Sequence, residues 1–169
     1  MNSTTMNRLS LRPLEERDAG NIFLLNSDPE VLKYVHDEPF RDIDAARDWI
    51  RDITQQLPDG IGRWAMETAD GTWIGRCSLR RQPDGTVLMG YRLLREYWGK
   101  GYASEAVRQM LRIAFSSHKL LHVHSKVARE NIASQRVVAK NGGVFWKEDA
   151  CGHFSDALVY RFSNPAIGD

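Results

Sequence analysis

The chain has 169 residues, 42% hydrophobic and 27% charged, the balance of an ordinary globular protein with a core large enough to need no disulfide or metal. Lys and Arg number 23 against 22 Asp and Glu, and this net charge of +1 lacks the basic excess of a general nucleic-acid binder. No apolar run is long enough to span a membrane, Met1 to Leu14 has no apolar signal-peptide segment, and the two cysteines, Cys77 and Cys151, have no metal-binding or disulfide spacing, so the expectation is a cytoplasmic protein with two half-buried free thiols.

Arg8 to Leu14 alternates apolar and polar residues and predicts a first strand. Glu15 to Leu25 carries Ala19, Ile22 and Phe23 at helical spacing. Asp28-Pro29-Glu30 reads as an N-cap, a proline at the first helical position and an acid in the first turn. Asp42 or Asp44 caps a third helix whose stripe runs through Ala45, Ala46, Trp49, Ile50, Ile53 and Leu57, with Pro58-Asp59-Gly60 as its stop. The period then changes. Residues 63–68 and 72–79 flank the turn Ala69-Asp70-Gly71, and Pro83-Asp84-Gly85 leads into a strand over 86–93, which predicts an antiparallel meander.

The strongest helical pattern starts at Gly101, with Ala103, Ala106, Val107, Met110, Leu111, Ala114 and Phe115 on one face. A strand over 122–127 follows, then a helix over 131–140 closed by Asn141-Gly142-Gly143, and a final hairpin from 144–147 and 157–162. Strand, helix and strand in succession (86–93, 101–118, 122–127) predict a right-handed crossover and one parallel pairing. The expected fold is a mixed α/β single domain.

Chemistry concentrates in Tyr97-Trp98-Gly99-Lys100-Gly101-Tyr102-Ala103-Ser104-Glu105-Ala106, between a strand end and a helix start. Two glycines allow a tight turn, and the amides of a helix start favour an anion such as phosphate. Taken alone, the segment fits a phosphate cradle or a plain strand-to-helix turn. It lacks the third glycine of a dinucleotide fold and the Gly-Lys-Ser/Thr of a Walker loop.

The segment resembles the pyrophosphate loop of the GNAT acyltransferases (Arg or Gln, two residues, Gly, one residue, Gly or Ala), matching at Gly101 and Ala103 with Trp98 in the first place. That tryptophan, the opening Arg8-Leu9-Ser10-Leu11-Arg12-Pro13-Leu14 with Asp18-Ala19, and the stretch Asn131 to Gly142 with Asn-x-x-Ser and a later Lys and Gly are similar to the RimJ/RimL branch. The three matches lie in family order and span residues 8 to about 162.

The resemblance implies a largely antiparallel sheet with one parallel strand pair, flanked by helices, in one N-acetyltransferase domain. It implies acetyl-CoA as acyl donor and an amine acceptor: a protein N-terminus, or a small amine such as an amino acid, a polyamine or an aminoglycoside. By resemblance, the Gly99, Lys100, Gly101, Tyr102, Ala103 and Ser104 amides cradle the pyrophosphate beside Trp98, Tyr91-Arg92-Leu93 pairs with the pantetheine, a backbone N–H near Leu93 polarises the thioester carbonyl, and Asn131 holds the cofactor. Many GNAT enzymes place a tyrosine where this chain has Val138, so the resemblance moves the acid for the leaving thiolate to Ser134, which also reads as an ordinary helix-start serine. Glu148 is the candidate base, against a solvated carboxylate there and an ordered water in its place.

By the same resemblance, residues 34–38, with Asp37 and Glu38, fall in part of the acceptor site, where acids would attract a cationic amine; the segment also reads as a solvated polar loop. His122 and His124 share a strand face without the further ligands a metal needs. Arg95, Lys100, Arg129 and Arg136 serve the adenosine 3′-phosphate or decorate the surface. No DNA or membrane partner is expected; relatives commonly form homodimers. The alternative function is an idle acyl-CoA-binding sensor or interaction module.

Overall fold

The computed structural model describes residues 8–35, 37–55, 60–151 and 154–167. Seven strands form one sheet in the order β1-β2-β3-β4-β5-β7-β6: β1 Leu9–Pro13, β2 Ile61–Thr68, β3 Trp73–Arg81, β4 Val87–Leu93, β5 His122–Ala128, β6 Val144–Cys151 and β7 Phe154–Ser163. Every neighbouring pair is antiparallel except β4 and β5, the parallel pair that the crossover pattern predicts. That pair has a single register partner, Leu88 with His124. Beyond it the strands part.

Side chains alternate across the sheet, so each face has its own core. On one face Met66, Cys77, Leu79, Met89, Leu93, Val123, Val127 and Phe162 pack against Ala106, Val107, Met110 and Ala114 of α4 (Tyr102–Arg112) and Val138 of α5 (Ile132–Lys140). On the other, Ala65 and Trp73 pack against Ala19, Ile22 and Leu25 of α1 (Ala19–Leu25), Val31 of α2 (Pro29–Leu32) and Ala46 and Ile50 of α3 (Ile43–Gln55). Arg92 and Arg76 therefore face α1–α3, whereas Tyr91 and Leu93 face α4.

The caps follow the sequence signals. Asp28 accepts the Glu30 N–H at 3.0 Å and Asp42 accepts that of Ala45 at 2.7 Å, which decides between the two candidate caps of α3. Helix α5 ends in a Schellman motif: Gly142 is left-handed at φ 89°, and Gly143 and Gly142 donate to the Val138 and Ala139 carbonyls, each at 3.0 Å. Leu57, Pro58 and Asp59 of the expected helix end lie outside the described residues.

Some expectations change. The first helix opens as a 3₁₀ turn over Glu16–Asp18, because Asp18 bends back to accept the Glu15 N–H at 2.9 Å. Helix α4 continues into a π-helical turn, Ile113–Ser117. The last hairpin is longer than predicted, since apolar content tracks burial and misses the polar edge of β6. Cys77 is not half-buried but 1% exposed, and burial drives its thiol pKa up; the Cys151 side chain lies outside the described residues.

The free edge of β1 is held by α4. The Glu105 carboxylate accepts the Leu9 N–H at 3.0 Å and Gln109 donates to the Leu9 carbonyl at 2.7 Å, so both backbone groups of that residue are satisfied. Arg12 donates two hydrogen bonds to Asp18, at 2.6 and 2.8 Å, and one to Glu67 at 2.7 Å. These give Arg12 of the opening Arg-Pro-Leu and the later Asp18 a structural role. Among the described residues no helix is long and apolar enough to cross a membrane.

Candidate active site

The glycine-rich loop enters α4 through two left-handed residues, Gly99 at φ 72° and Gly101 at φ 86°. An L side chain in that region costs about 1–2 kcal/mol, which is why the sequence has glycine at both positions. Gly101 is the N-cap, and the helix ladder begins with Glu105 N–H donating to its carbonyl at 3.1 Å. The amides of Tyr102, Ala103 and Ser104 lie ahead of that bond and have no acceptor within the helix. A side chain at Gly99 would project into open space, and one at Gly101 would meet Arg8 Nη2 at 3.3 Å. Arg8 also donates to the Lys100 carbonyl at 3.2 Å and stacks on Tyr102 at 4.9 Å, so the start of β1 steadies the loop. The loop thus presents helix-start amides on an open surface, as an anion needs.

Where β4 and β5 part, a cleft of about 540 Å³ opens between Met89–Arg92 and Ser125–Ala128. Tyr91 reaches across it from β4 to the start of α5, its hydroxyl 2.8 Å from Ser134 Oγ. Burial raises the Tyr91 pKa above its ordinary value, so the phenol is neutral and holds its proton. Ser134 in turn donates its backbone N–H to Asn131 Oδ1 at 3.1 Å, the N-cap of α5. The predicted residues Tyr91, Arg92, Asn131 and Ser134 therefore meet at one cleft.

Comparisons with known proteins agree with this geometry. Residues 8–144 match the family model described as an acetyltransferase (GNAT) domain. Over 165 residues, 92% of each chain, the sequence is 36% identical to a protein of Bacillus licheniformis named uncharacterized N-acetyltransferase p20. The chain belongs to the GNAT acetyltransferase family. The fold is similar to that of spermidine N-acetyltransferase from Vibrio cholerae, solved in complex with CoA and spermine, at a TM-score of 0.81 with 21% identity, covering 93% of this chain and 96% of that one. It is also similar to Mycobacterium smegmatis RimJ in complex with CoA-disulfide, at a TM-score of 0.83 with 19% identity, covering 95% and 84%.

Within this GNAT domain the remaining predicted residues take varied places. Trp98 is 45% exposed and its indole N–H donates to the Leu93 carbonyl at 2.9 Å, which fixes how the chain leaves β4. The Ser104 hydroxyl is buried and accepts from Arg108 at 3.0 Å and Asn141 at 2.8 Å, so its side chain braces α4 against the end of α5, leaving its backbone N–H at the loop. Glu148 stands apart. It lies on β6, the edge strand, is 67% exposed and accepts from Arg129 at 2.6 Å; it does not line the cleft. Arg129 also pairs with Asp156, and Arg95 with Asp28 at 3.2 Å, so both have structural partners.

The segment expected to attract a cationic amine is not a free acidic patch. Asp37 does line the cleft, but its Oδ2 accepts from Arg92 at 2.7 Å and Arg76 at 3.3 Å. Burial opposes the Asp37 charge, yet these two guanidiniums outweigh it and hold the pKa below the usual carboxylate range. Among the described residues lining the cleft, Asp37 is the one carboxylate, against Arg63, Arg76, Arg80, Arg92 and Lys126. The wall is cationic. The arginines come from three strands, Arg63 on β2, Arg76 and Arg80 on β3 and Arg92 on β4, so a reading along the chain does not bring them together; strand pairing, such as the register of Arg76 with Arg92, does. His124 is buried beneath Trp146, ring centroids 4.7 Å apart, and among the described residues no group of three metal-ligating side chains occurs.

Proposed function

We propose that this GNAT domain is an acetyl-CoA-dependent N-acetyltransferase that transfers the acetyl group directly to a primary amine. The observation that carries the reading is the cleft itself: it opens where β4 and β5 part, on the strand that leads into the glycine loop, and holds a part-buried hydroxyl pair. Gly99 to Ser104 would receive the pyrophosphate on their amides, with Trp98 fixing the loop's entry and Asn131 on the opposite wall. The unpaired edge of β4 at Tyr91, Arg92 and Leu93 would take the pantetheine arm as a further strand.

An attacking ammonium must lose a proton and a leaving thiolate must gain one. Tyr91 and Ser134 form the donor: a proton leaves one hydroxyl for the thiolate, the other hydroxyl replaces it along their 2.8 Å hydrogen bond, and water returns the missing proton to the pair. Deprotonation of the amine falls to water, because Asp37 is held ionised by two arginines and is a weak base, and Glu148 is on the sheet edge. The acceptor class is open in sequence resemblance between the protein α-amines of the RimJ/RimL branch and small amines such as the spermidine of the Vibrio cholerae enzyme.

The test is CoA release from acetyl-CoA over a panel of N-terminal peptides and small amines, with products identified by mass spectrometry. Release that depends on both substrates supports the reading. Tight acetyl-CoA binding without release for any amine would favour the sensor instead.

A further inference from the structure

The acceptor face has a charge that the transfer reaction does not call for. An amine substrate is a cation, and a site built only for it would carry acids. Here the α1–α3 face of the sheet presents Arg63 on β2, Arg76 and Arg80 on β3 and Arg92 on β4, all lining the same cleft. Among the described residues, neither Arg63 nor Arg80 forms an ion pair, and Arg76 and Arg92 share the single Oδ2 of Asp37.

Arg76 is the most constrained of them. Its side chain is 13% exposed, its guanidinium lies 5.0 Å over the Trp49 ring, and its Nε is buried with no partner among the described residues. Burial together with Arg92, Arg80 and Arg63 lowers its pKa to about 9, and burial with Arg80 lowers that of Arg63 to about 10; both groups stay charged at neutral pH. A buried donor without an acceptor is costly, and four like charges on one wall repel.

Pyrophosphate does not account for the arginines. The loop that would hold it leads into α4, on the opposite face of the sheet, as side-chain alternation along β4 requires: Tyr91 and Leu93 point to the α4 core and Arg92 to Asn26 and Asp37. Asp37 shows what chemistry the wall recognises, since its Oδ2 already accepts one hydrogen bond from each of two guanidiniums.

We infer that the acceptor is a small amine that also carries an anionic group, a carboxylate or a phosphate, which binds the Arg63–Arg76–Arg80–Arg92 wall while the amine points into the β4–β5 cleft. The inference rests on the transferase reading and narrows its substrate class. Polycations such as spermidine are disfavoured by the same wall.

Matched acceptors test it. Free α-amino acids are compared with their carboxamides, and aminoalkyl phosphates with the corresponding amino alcohols, by CoA release; spermidine and a peptide with neutral side chains complete the set. The anionic member of each pair is expected to have at least tenfold higher kcat/KM, with the carboxylate and phosphate pairs distinguishing the two sources of charge. Arg92→Gln and the more exposed Arg80→Gln should bring the anionic-to-neutral ratio toward one. Equal or better turnover of the neutral members, of spermidine or of the neutral peptide would overturn the inference and leave the transferase standing. Should no acceptor release CoA, the transferase reading fails, and calorimetry on CoA-saturated protein still decides the charge question. An N-acetyl amino acid should then bind at least tenfold tighter than its amide and lose that margin in Arg92→Gln; equal binding refutes the inference.

Discussion

Removing either hydroxyl of the Tyr91–Ser134 pair separates a proton donor from a packing contact. Tyr91→Phe keeps the ring in place and leaves Ser134 Oγ without its 2.8 Å partner, and Ser134→Ala leaves the phenol without its partner. A neutral hydrogen bond of this kind contributes about 1 kcal/mol net, and in a domain of this size that lowers Tm by roughly 2–4 °C. Loss of a positioned general acid costs much more, on the order of 100-fold or greater in rate. The assay is CoA release under saturating acetyl-CoA, read as kcat and KM separately, with acetyl-CoA affinity measured by calorimetry. Each single variant should lose at least about 100-fold in kcat with little change in affinity, and the double variant should be no worse than the poorer single one, because the two act as one unit. Because burial holds the Tyr91 pKa above its usual value, the pair stays neutral and should impose no alkaline fall in kcat up to about pH 9. Single variants within about threefold of wild type in kcat, or a loss matched by lost acetyl-CoA affinity, would refute the donor role.

Gly101→Val forces a β-branched residue into φ 86° and drives a side chain toward Arg8, so it should weaken acetyl-CoA binding at least tenfold with a stability loss of about 1–2 kcal/mol; unchanged affinity by calorimetry would remove the loop assignment. Gly75→Ala places a Cβ 2.2 Å from the Arg92 carbonyl oxygen and 2.9 Å from Leu93 Cα, backbone that cannot turn aside, and should cost about 2–3 kcal/mol, a Tm drop of roughly 5–10 °C in a thermal melt. His124 has its pKa lowered by burial, then by His122, Arg161 and Lys147, with Asp84 opposing, so the unfolded chain takes up the proton first; stability is full above about pH 6.5 and falls as the pH drops below it, and His124→Gln should flatten that part of the Tm–pH curve. Arg76→Met replaces a crowded cation with an apolar side chain beside Trp49 while Arg92 still holds Asp37; denaturant unfolding should find it within about 1 kcal/mol of wild type or more stable, and a loss of 3 kcal/mol or more would contradict the reading of Arg76 as a strained residue.

The loop and its helix were legible in the sequence because their information is local: left-handed glycines, a helix start and an unbroken apolar stripe all lie within residues 99–115. The parallel crossover was legible for the same reason, from the order strand, helix, strand. Tyr91 as a side chain was not, since its partner Ser134 is 43 residues away and nothing in Tyr-Arg-Leu distinguishes a cleft hydroxyl from a core ring. Glu148 is a candidate by resemblance, yet a place along a hairpin does not fix a face or an edge; Glu148 lies on the edge strand, after the bulge between Phe145 and Lys147, paired with Arg129 and exposed. Asp37 and Glu38 read as an acidic lure for a cation because the chain reports only their own charge, and the guanidiniums that reverse its sign come from two other strands.

That reversal is where local rules and the fold disagree. A sequence selected for stability alone would pair Arg76 with an acid of its own or replace it with a hydrophobe, since a buried cation beside three others weakens the native state. Structures tend to break such rules at sites of function, where the cost is offset by binding. The arrangement on β4 gives the disagreement a purpose. On the proposed reading one strand carries, on successive residues, a hydroxyl to protonate the thiolate and a guanidinium to hold an acceptor's anionic group, so donor and acceptor would approach the same backbone from opposite faces of the sheet. Two anionic partners can then be bound without sharing a counter-charge: one rests on helix-start amides, the other on arginines. An acceptor held at the arginines by its negative group would direct its amine away from that wall and into the β4–β5 cleft, toward the Tyr91–Ser134 pair. On the proposed reading the arginines choose the acceptor and water takes its ammonium proton, because the one carboxylate in the described lining of the cleft, Asp37, is already held ionised by Arg92 and Arg76.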